Sequence, residues 1–187
     1  LFRSDLVDYR TMARLQSDSE TKRTVSRLVT KAAGWNYQSP KTNGEPSPTW
    51  GSMTCAGITG LAICQAALLD LVGNKRAKLQ GDATAARNAG FAWLAEHMTV
   101  RCHPGFLVRQ QHWFYYYLYG LERAALLSGI ALIEDHDWYF EGAMVLTGAQ
   151  NPDGDWPAEM HFDQDIERNA MAILFLKQST MPVLTGR

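Results

Sequence analysis

The chain has 187 residues, of which 46% are apolar and 20% charged, and its 18 basic and 19 acidic side chains leave a net charge of −1 at pH 7. These values are typical of one globular domain with a substantial core, so we treat residues 1–187 as a single domain. The near balance of charge argues against a nucleic-acid-binding or membrane-surface protein. The apolar runs are shorter than the roughly 20 residues of a membrane span.

The first ten residues, LFRSDLVDYR, are typical neither of a signal peptide nor of a natural start. We therefore expect a processed or excised piece of a larger protein. The three cysteines, Cys55, Cys64 and Cys102, are too few for a disulfide framework and show no CxxC spacing. We expect free buried thiols, which favours a reducing compartment.

Helical periodicity dominates the chain, and no alternating run predicts a strand. The apolar pattern predicts two amphipathic helices, over Ala83–Met98 and Trp138–Ala149. Three further segments of helix length are apolar on most faces, namely Thr54–Val72, Trp113–Leu127 and Asn169–Lys177. The sequence therefore predicts an all-α fold.

The predicted helices repeat. GLAICQAALL at 60–69 aligns with GLERAALLSG at 120–129, and the two amphipathic helices align so that Gly90 matches Gly142. Each unit is a helical hairpin with one half-exposed helix and one buried helix. Such hairpins close into a ring or stack into a solenoid. The approximate repeats are 19–72, 83–127 and 138–178.

The loop after the second amphipathic helix, Trp138–Ala149, reads QNPDGDW, from Gln150 to Trp156. Turn chemistry accounts for Pro152 and Gly154, because proline fixes φ and glycine accepts a positive φ, but it does not explain a large Trp in a polar loop. With the end of the preceding helix, the segment GAMVLTGAQNPDGDW resembles the QW repeat of squalene and hopene cyclases. The same fold family includes the protein prenyltransferase β subunits and the thioester-containing domain of complement.

This resemblance implies an α/α toroid with inner and outer helices, of which the chain would contain a part, about three hairpins. It also implies a structural motif made of Gln150, Gly154 and Trp156. In the family the Gln amide satisfies backbone groups at the end of its helix, and the Trp ring packs over the neighbouring repeat. The first repeat keeps only Gly34 and Trp35 of this motif.

The acid of squalene-type cyclases, a DxDD-like motif, is not found. The nearest string runs from Glu134 to Asp137 and precedes an outer helix, whereas the catalytic acid belongs to an inner helix. Asp135 or Asp137 is better explained as an N-cap for the helix that begins near Trp138, because a carboxylate there accepts free backbone N–H groups.

The zinc ligands of the prenyltransferases are also not found in register. Their Asp, Cys and His positions align here with Gly51, Met53 and Trp113. Cys55 and His112 lie close by, at the starts of consecutive inner helices, but no third ligand completes a tetrahedral site. We therefore expect neither zinc nor a cofactor. The Cys and Gln of a complement-like thioester are likewise not adjacent.

Aromatic residues crowd the segment HWFYYYLY, which ends at Tyr119. Their spacing puts rings on every face of a helix, so some face the centre of the toroid. They would line a pocket for an isoprenoid, a carotenoid-like chain or a sugar, or they would simply fill the core. The candidate pocket residues are Trp50, Cys55, His112, Trp113, Tyr116 and Tyr117.

A second group of polar residues, His161, Asp163 and Asp165, precedes the last helix. A solvated loop with helix-capping acids explains it, and a calcium or other metal site stays open as the alternative.

We expect a non-catalytic toroid domain of a larger, bacterial protein, used for binding or assembly. The alternative is an isoprenoid-directed enzyme of terpenoid cyclase-like or prenyltransferase-like type, with an aromatic-lined pocket. Three hairpins would leave apolar edges at Leu15–Val29 and Asn169–Lys177. We therefore expect either a homodimer or burial of these edges by the rest of the parent chain.

Overall fold

The computed structural model describes residues 31–37, 48–68, 73–105, 113–158 and 165–178. Within these ranges the only β pairing is an isolated bridge between Ile133 and His136. The prediction of an all-α fold is therefore confirmed over the described residues. They contain five α-helices, namely α1 (Gly51–Ala67), α2 (Asn74–Glu96), α3 (Phe114–Ser128), α4 (Trp138–Ala149) and α5 (Asp165–Lys177).

The observed helix bounds show that apolar periodicity detects only the part of a helix that is buried. The prediction matches α4 at both ends, whereas α2 begins at Asn74 and not at Ala83. The first turns of α2 are mostly exposed. An exposed stretch has no apolar stripe to reveal it, although residues such as Lys, Arg, Leu and Gln favour a helix.

The helices alternate between a central row and the positions beside it. In the row, α1 packs against α3 and α3 packs against α5. Helix α2 packs against α1, and α4 contacts both α3 and α5. The apolar segments of the sequence thus form the row, and the amphipathic helices lie beside it.

Two glycines on the amphipathic helices permit close contacts with the row. A Cβ atom at Gly90 would lie 2.8 Å from side-chain atoms of Ile58 and Trp35, and one at Gly142 would overlap the ring of Phe175. Both glycines are buried. The repeat alignment pairs these two positions, and both make the same kind of contact, in which a missing side chain admits an apolar one.

The three cysteines are free but differ in exposure: Cys55 is buried, Cys102 is half-buried and Cys64 is exposed. The prediction of buried thiols is therefore wrong for Cys64, which lies on the last turn of α1 away from the core. Cys55 is confirmed as a small core residue in contact distance of Gly120 on α3.

Several predicted features lie outside the described residues, namely the Leu15–Val29 edge, His112, His161 and Asp163. Over the part of the chain that the structure does describe, no helix is long and apolar enough to cross a membrane.

Candidate functional site

The Trp of the QNPDGDW loop joins two helices. Trp156 is 3% exposed, and its indole Nε1 donates a hydrogen bond to the carbonyl oxygen of Leu146, near the end of α4, over 2.8 Å. Its backbone N–H donates to Oδ1 of Asn169 on α5 over 3.1 Å. The ring is part of the hydrophobic core. Trp156 therefore satisfies a carbonyl at a helix end and ties the loop to the next helix.

Gln150 has a different role from the one expected of it. Its side-chain Nε2 donates to the carbonyl oxygen of Gly154 over 2.7 Å, within the loop. The Gly154 N–H returns to the carbonyl oxygen of Asn151, and Gly154 has a φ of 90°, which glycine adopts without strain. The prediction that the Gln150 amide satisfies the helix end is therefore corrected. Gln150 closes the loop, and the indole of Trp156 caps the helix.

The acidic string before α4 is a helix cap. Oδ1 of Asp137 accepts a hydrogen bond from the backbone N–H of Phe140 over 2.9 Å, and α4 begins at Trp138. The predicted N-cap is thus confirmed and assigned to Asp137, while Asp135 is exposed. Glu141, in the first turn, pairs with Nδ1 of His136 at 3.0 Å.

An aromatic cluster lies at the N-terminal ends of α1 and α3, with His103 at its centre. The ring centroid of His103 is 5.6 Å from that of Trp50 and 5.4 Å from that of Tyr117, on which it stacks. Tyr37 meets Trp50 edge to face at 5.6 Å. We call Tyr37, Trp50, Ser52, His103 and Tyr117 the His103 cluster.

The imidazole of His103 caps α1. Its Nε2 accepts a hydrogen bond from the backbone N–H of Ser52 over 2.9 Å, and both residues are buried. The N–H groups in the first turn of a helix have no partner within the helix, so His103 satisfies one of them. Because a backbone N–H can only donate, Nε2 carries no proton, and the neutral ring carries its proton on Nδ1.

Three other titratable side chains, Tyr117, Cys55 and Tyr116, lie near the N-terminal ends of α1 and α3. The Tyr117 hydroxyl donates to the carbonyl oxygen of Thr99 over 3.0 Å, and burial raises the pKa of Tyr117 well above its usual value. Burial also raises the pKa of the Cys55 thiol far above its usual range. Tyr116 is half-buried, and burial raises its pKa, with smaller contributions from Tyr37 and Cys55 among others. These groups stay neutral at ordinary pH.

The structure only partly gathers the predicted pocket residues. Trp50 and Tyr117 meet through His103. Cys55 and Tyr117 are fully buried, whereas Trp50 and Tyr116 are half-buried. Trp113 is 40% exposed, has a left-handed φ of 61°, and meets Tyr116 edge to face at 6.4 Å.

Besides His103, sequence reasoning missed two buried residues with ionisable side chains. Glu122 on α3 is fully buried, and Arg168 on α5 is 3% exposed. Nη2 of Arg168 pairs with Oδ1 of Asp165 at 2.8 Å, so Asp165, one of the open metal candidates, holds a guanidinium. Helical spacing places Arg168 on the same face as Ala172 and Phe175, so the sequence pattern did indicate that Arg168 lies on the buried face of α5. No local pattern marked His103, which lies in the turn Cys102 to Gly105.

No group of three His, Cys, Asp or Glu side chains among the described residues is arranged to hold a metal ion. No protein-family model matches the chain, and no curated protein or solved structure is significantly similar to it.

Proposed function

We propose that the chain is a toroid domain of the squalene cyclase and prenyltransferase repeat type that serves binding or assembly within a larger protein. The row α1, α3, α5 with α2 and α4 beside it supports this proposal, because a toroid needs inner helices in sequence order and outer helices between them. The loop that carries Trp156 supports it as well, since the Trp156 indole bonds to α4 and its backbone N–H bonds to α5.

The observation that carries the non-catalytic role is that the polar atoms in and near the His103 cluster are hydrogen-bonded or buried within the fold. A general acid, base or nucleophile must reach the substrate and titrate near the working pH. Here Nε2 of His103 is occupied by the Ser52 N–H, and the Tyr117 hydroxyl by the Thr99 carbonyl. The Cys55 thiol is buried with a raised pKa. These atoms are therefore buried within the fold and are not accessible to a substrate.

The ligand that suits this end of the row is a hydrophobic, isoprenoid-like molecule. Trp50, Trp113 and Tyr116 keep part of their rings accessible at the N-terminal ends of α1 and α3. Aromatic faces bind apolar chains through contact area without the need for a charged group. We therefore propose binding of a polyprenyl chain against these three rings.

Incubation with squalene and a set of polyprenyl diphosphates tests both statements. We expect mass spectrometry to detect no product and tryptophan fluorescence to report saturable binding. The Tyr116→Ala variant should bind roughly tenfold more weakly, as the loss of one aromatic contact implies. Phe140→Ala, which removes an exposed ring on α4, should bind as the wild type does.

Three results would contradict these proposals. Turnover of any of these substrates would make the protein an isoprenoid-directed enzyme. One equivalent of zinc in the purified protein, lost in Cys55→Ala, would assign it to the prenyltransferase type. Equal binding by wild type and Tyr116→Ala would move the ligand away from this end of the row.

A further inference from the structure

Helix α4 carries an apolar stripe on the side that faces away from the core. Phe140 and Met144 are each 58% exposed, while Trp138, Gly142 and Leu146 on the opposite side are buried. Residues four apart lie on one face of a helix, so the exposed stripe continues to Gly148. Two large apolar side chains that are adjacent on one helix face form an exposed apolar patch, and such a patch can mark an interaction surface.

The stripe forms one side of a groove. Val100 and Arg101, in the segment after α2, form the other side, and the groove has a volume of about 530 Å³. Gly148 lies in it, and a Cβ atom added there would meet nothing within 4 Å. We call the groove formed by Val100, Arg101, Phe140, Met144 and Gly148 the α4 groove. Along the groove lie the bulky ring of Phe140, the flexible side chain of Met144 and the open position at Gly148, in that order.

We infer that the α4 groove is the contact surface for a second copy of this chain, with two α4 helices packed antiparallel about a twofold axis through Met144. Phe140 precedes Met144 by four residues, and Gly148 follows it by four. An antiparallel pair centred on Met144 therefore places the Phe140 ring of each copy opposite the open Gly148 of the other. A twofold contact requires such self-complementarity, because one surface must fit itself.

The charges of the groove favour the same partner. Arg101 and Glu141 both line it. A groove with one cation and one anion presents balanced charge to its own copy, whereas an acidic lipid surface or a uniformly charged peptide would meet one like charge. The contact differs from the edges at Leu15–Val29 and Asn169–Lys177, and it does not depend on any ligand at the His103 cluster.

The contact should be weak. One pair of 12-residue helices with a short flanking segment covers less than the roughly 800 Å² per partner of a standard interface. We expect a dissociation constant on the order of 10 µM.

Sedimentation equilibrium between about 1 and 200 µM tests the inference, a range that spans the expected dissociation constant. The wild type should pass from monomer to dimer mass. Gly148→Leu should stay monomeric, because the new side chain fills the position that Phe140 of the other copy occupies. This variant keeps its fold, since the site is open and leucine favours a helix more than glycine does. Gly81→Leu, at an exposed glycine of α2 that is also open, is the matched control and should dimerise.

A covalent readout locates the axis. Met144→Cys in a Cys64→Ser, Cys102→Ser background should form an intermolecular disulfide with a mild thiol oxidant, because only residues on the axis meet their own copies. Leu79→Cys in the same background, at an exposed site on α2, should not.

Three outcomes would overturn the inference. The first is a wild type that stays monomeric to about 200 µM, which is well above the dissociation constant expected here. The second is a dimer retained by Gly148→Leu; if Ile173→Glu then abolishes it, the contact belongs to α5. The third is a monomer that sediments with vesicles of phosphatidylcholine and phosphatidylglycerol only when Phe140 and Met144 are intact, which would assign the groove to a lipid surface.

Discussion

The indole of Trp156 and the carbonyl oxygen of Leu146 form a 2.8 Å hydrogen bond that links the QNPDGDW loop to the end of α4. The residue that caps the helix is thus ten positions beyond its partner and belongs to the loop, while the glutamine next to the helix serves the loop alone. This relationship determines how the loop should respond to substitution.

Trp156→Ala should lower the free energy of unfolding by about 3 kcal/mol or more, because it leaves a cavity in the core and an unpaired carbonyl. Trp156→Phe keeps most of the apolar area but not the donor, so it should lose about 1–2 kcal/mol. Urea denaturation measures both. Trp113→Ala, at a 40% exposed ring, is the control and should lose less than either. A loss below about 1 kcal/mol for Trp156→Ala would show that the ring does not join the helices.

His103→Ala should destabilise the fold by about 2 kcal/mol, because the buried Ser52 N–H loses its acceptor and Tyr117 loses a stacking partner. His103→Gln retains an acceptor and should lose less. His97→Ala is the matched control at an exposed histidine that also stacks on an aromatic ring, Trp93. Thermal unfolding of the three variants gives the order, and equal losses for His97→Ala and His103→Ala would refute the capping role.

Gly142→Ala and Gly81→Ala should have opposite effects. Alanine favours a helix over glycine by about 1 kcal/mol, so the exposed and open position at Gly81 should gain stability. At Gly142 the new methyl group overlaps the Phe175 ring, and the repacking should outweigh that gain. Chemical denaturation of both variants measures the difference. Stabilisation of both would mean that α4 and α5 are not in close contact at Gly142.

Asp137→Ala should cost about 1 kcal/mol, because α4 loses the carboxylate that accepts the Phe140 N–H. Asp135 lies two residues earlier, is exposed and does not cap the helix. Asp135→Ala removes the same charge and should lower the free energy of unfolding by only about a few tenths of a kcal/mol. Measuring the loss in the free energy of unfolding for both variants in low and high salt separates the effect of the cap from the effect of the charge alone. Similar losses that both vanish in salt would contradict the cap.

Thiol reagents should distinguish the cysteines. Cys64 is exposed and should react in the folded state, whereas Cys55 should react only on unfolding, because burial excludes the reagent and raises the pKa of its thiol. Mass spectrometry after timed alkylation locates the label. Rapid labelling of Cys55 in the folded protein would show that α1 and α3 open readily.

The raised pKa of the Cys55 thiol also predicts how stability depends on pH. The pKa values of Cys55 and Tyr117 are raised in the folded state, so the unfolded chain loses these protons first as pH rises. Their contribution is fully present below the ordinary cysteine pKa of about 8.5 and declines above it. Cys55→Ala should therefore flatten the fall in the free energy of unfolding between about pH 8.5 and 10, the usual values for cysteine and tyrosine. An unchanged slope would mean that Cys55 is not buried in solution.

Local sequence signals were sufficient to predict the features that depend on neighbouring residues. Periodic apolar positions identified an all-α chain, and α4 was bounded by its own cap, Asp137, and by the turn residues after Gln150. Such signals are local because helix hydrogen bonds and caps join residues only three or four positions apart. The exposed start of α2 escaped detection for the same reason, since periodicity records burial and not helix formation.

Which polar atoms meet depends on the tertiary structure. His103 reaches Ser52, which lies 51 positions earlier, and the Trp156 N–H reaches Asn169 across a loop. It also decided that α4 turns Phe140 and Met144 outward while Trp138 and Leu146 face the row. Contacts of this kind depend on how whole helices pack, and a buried N–H accepts any well-placed acceptor, so no spacing in the chain specifies its partner.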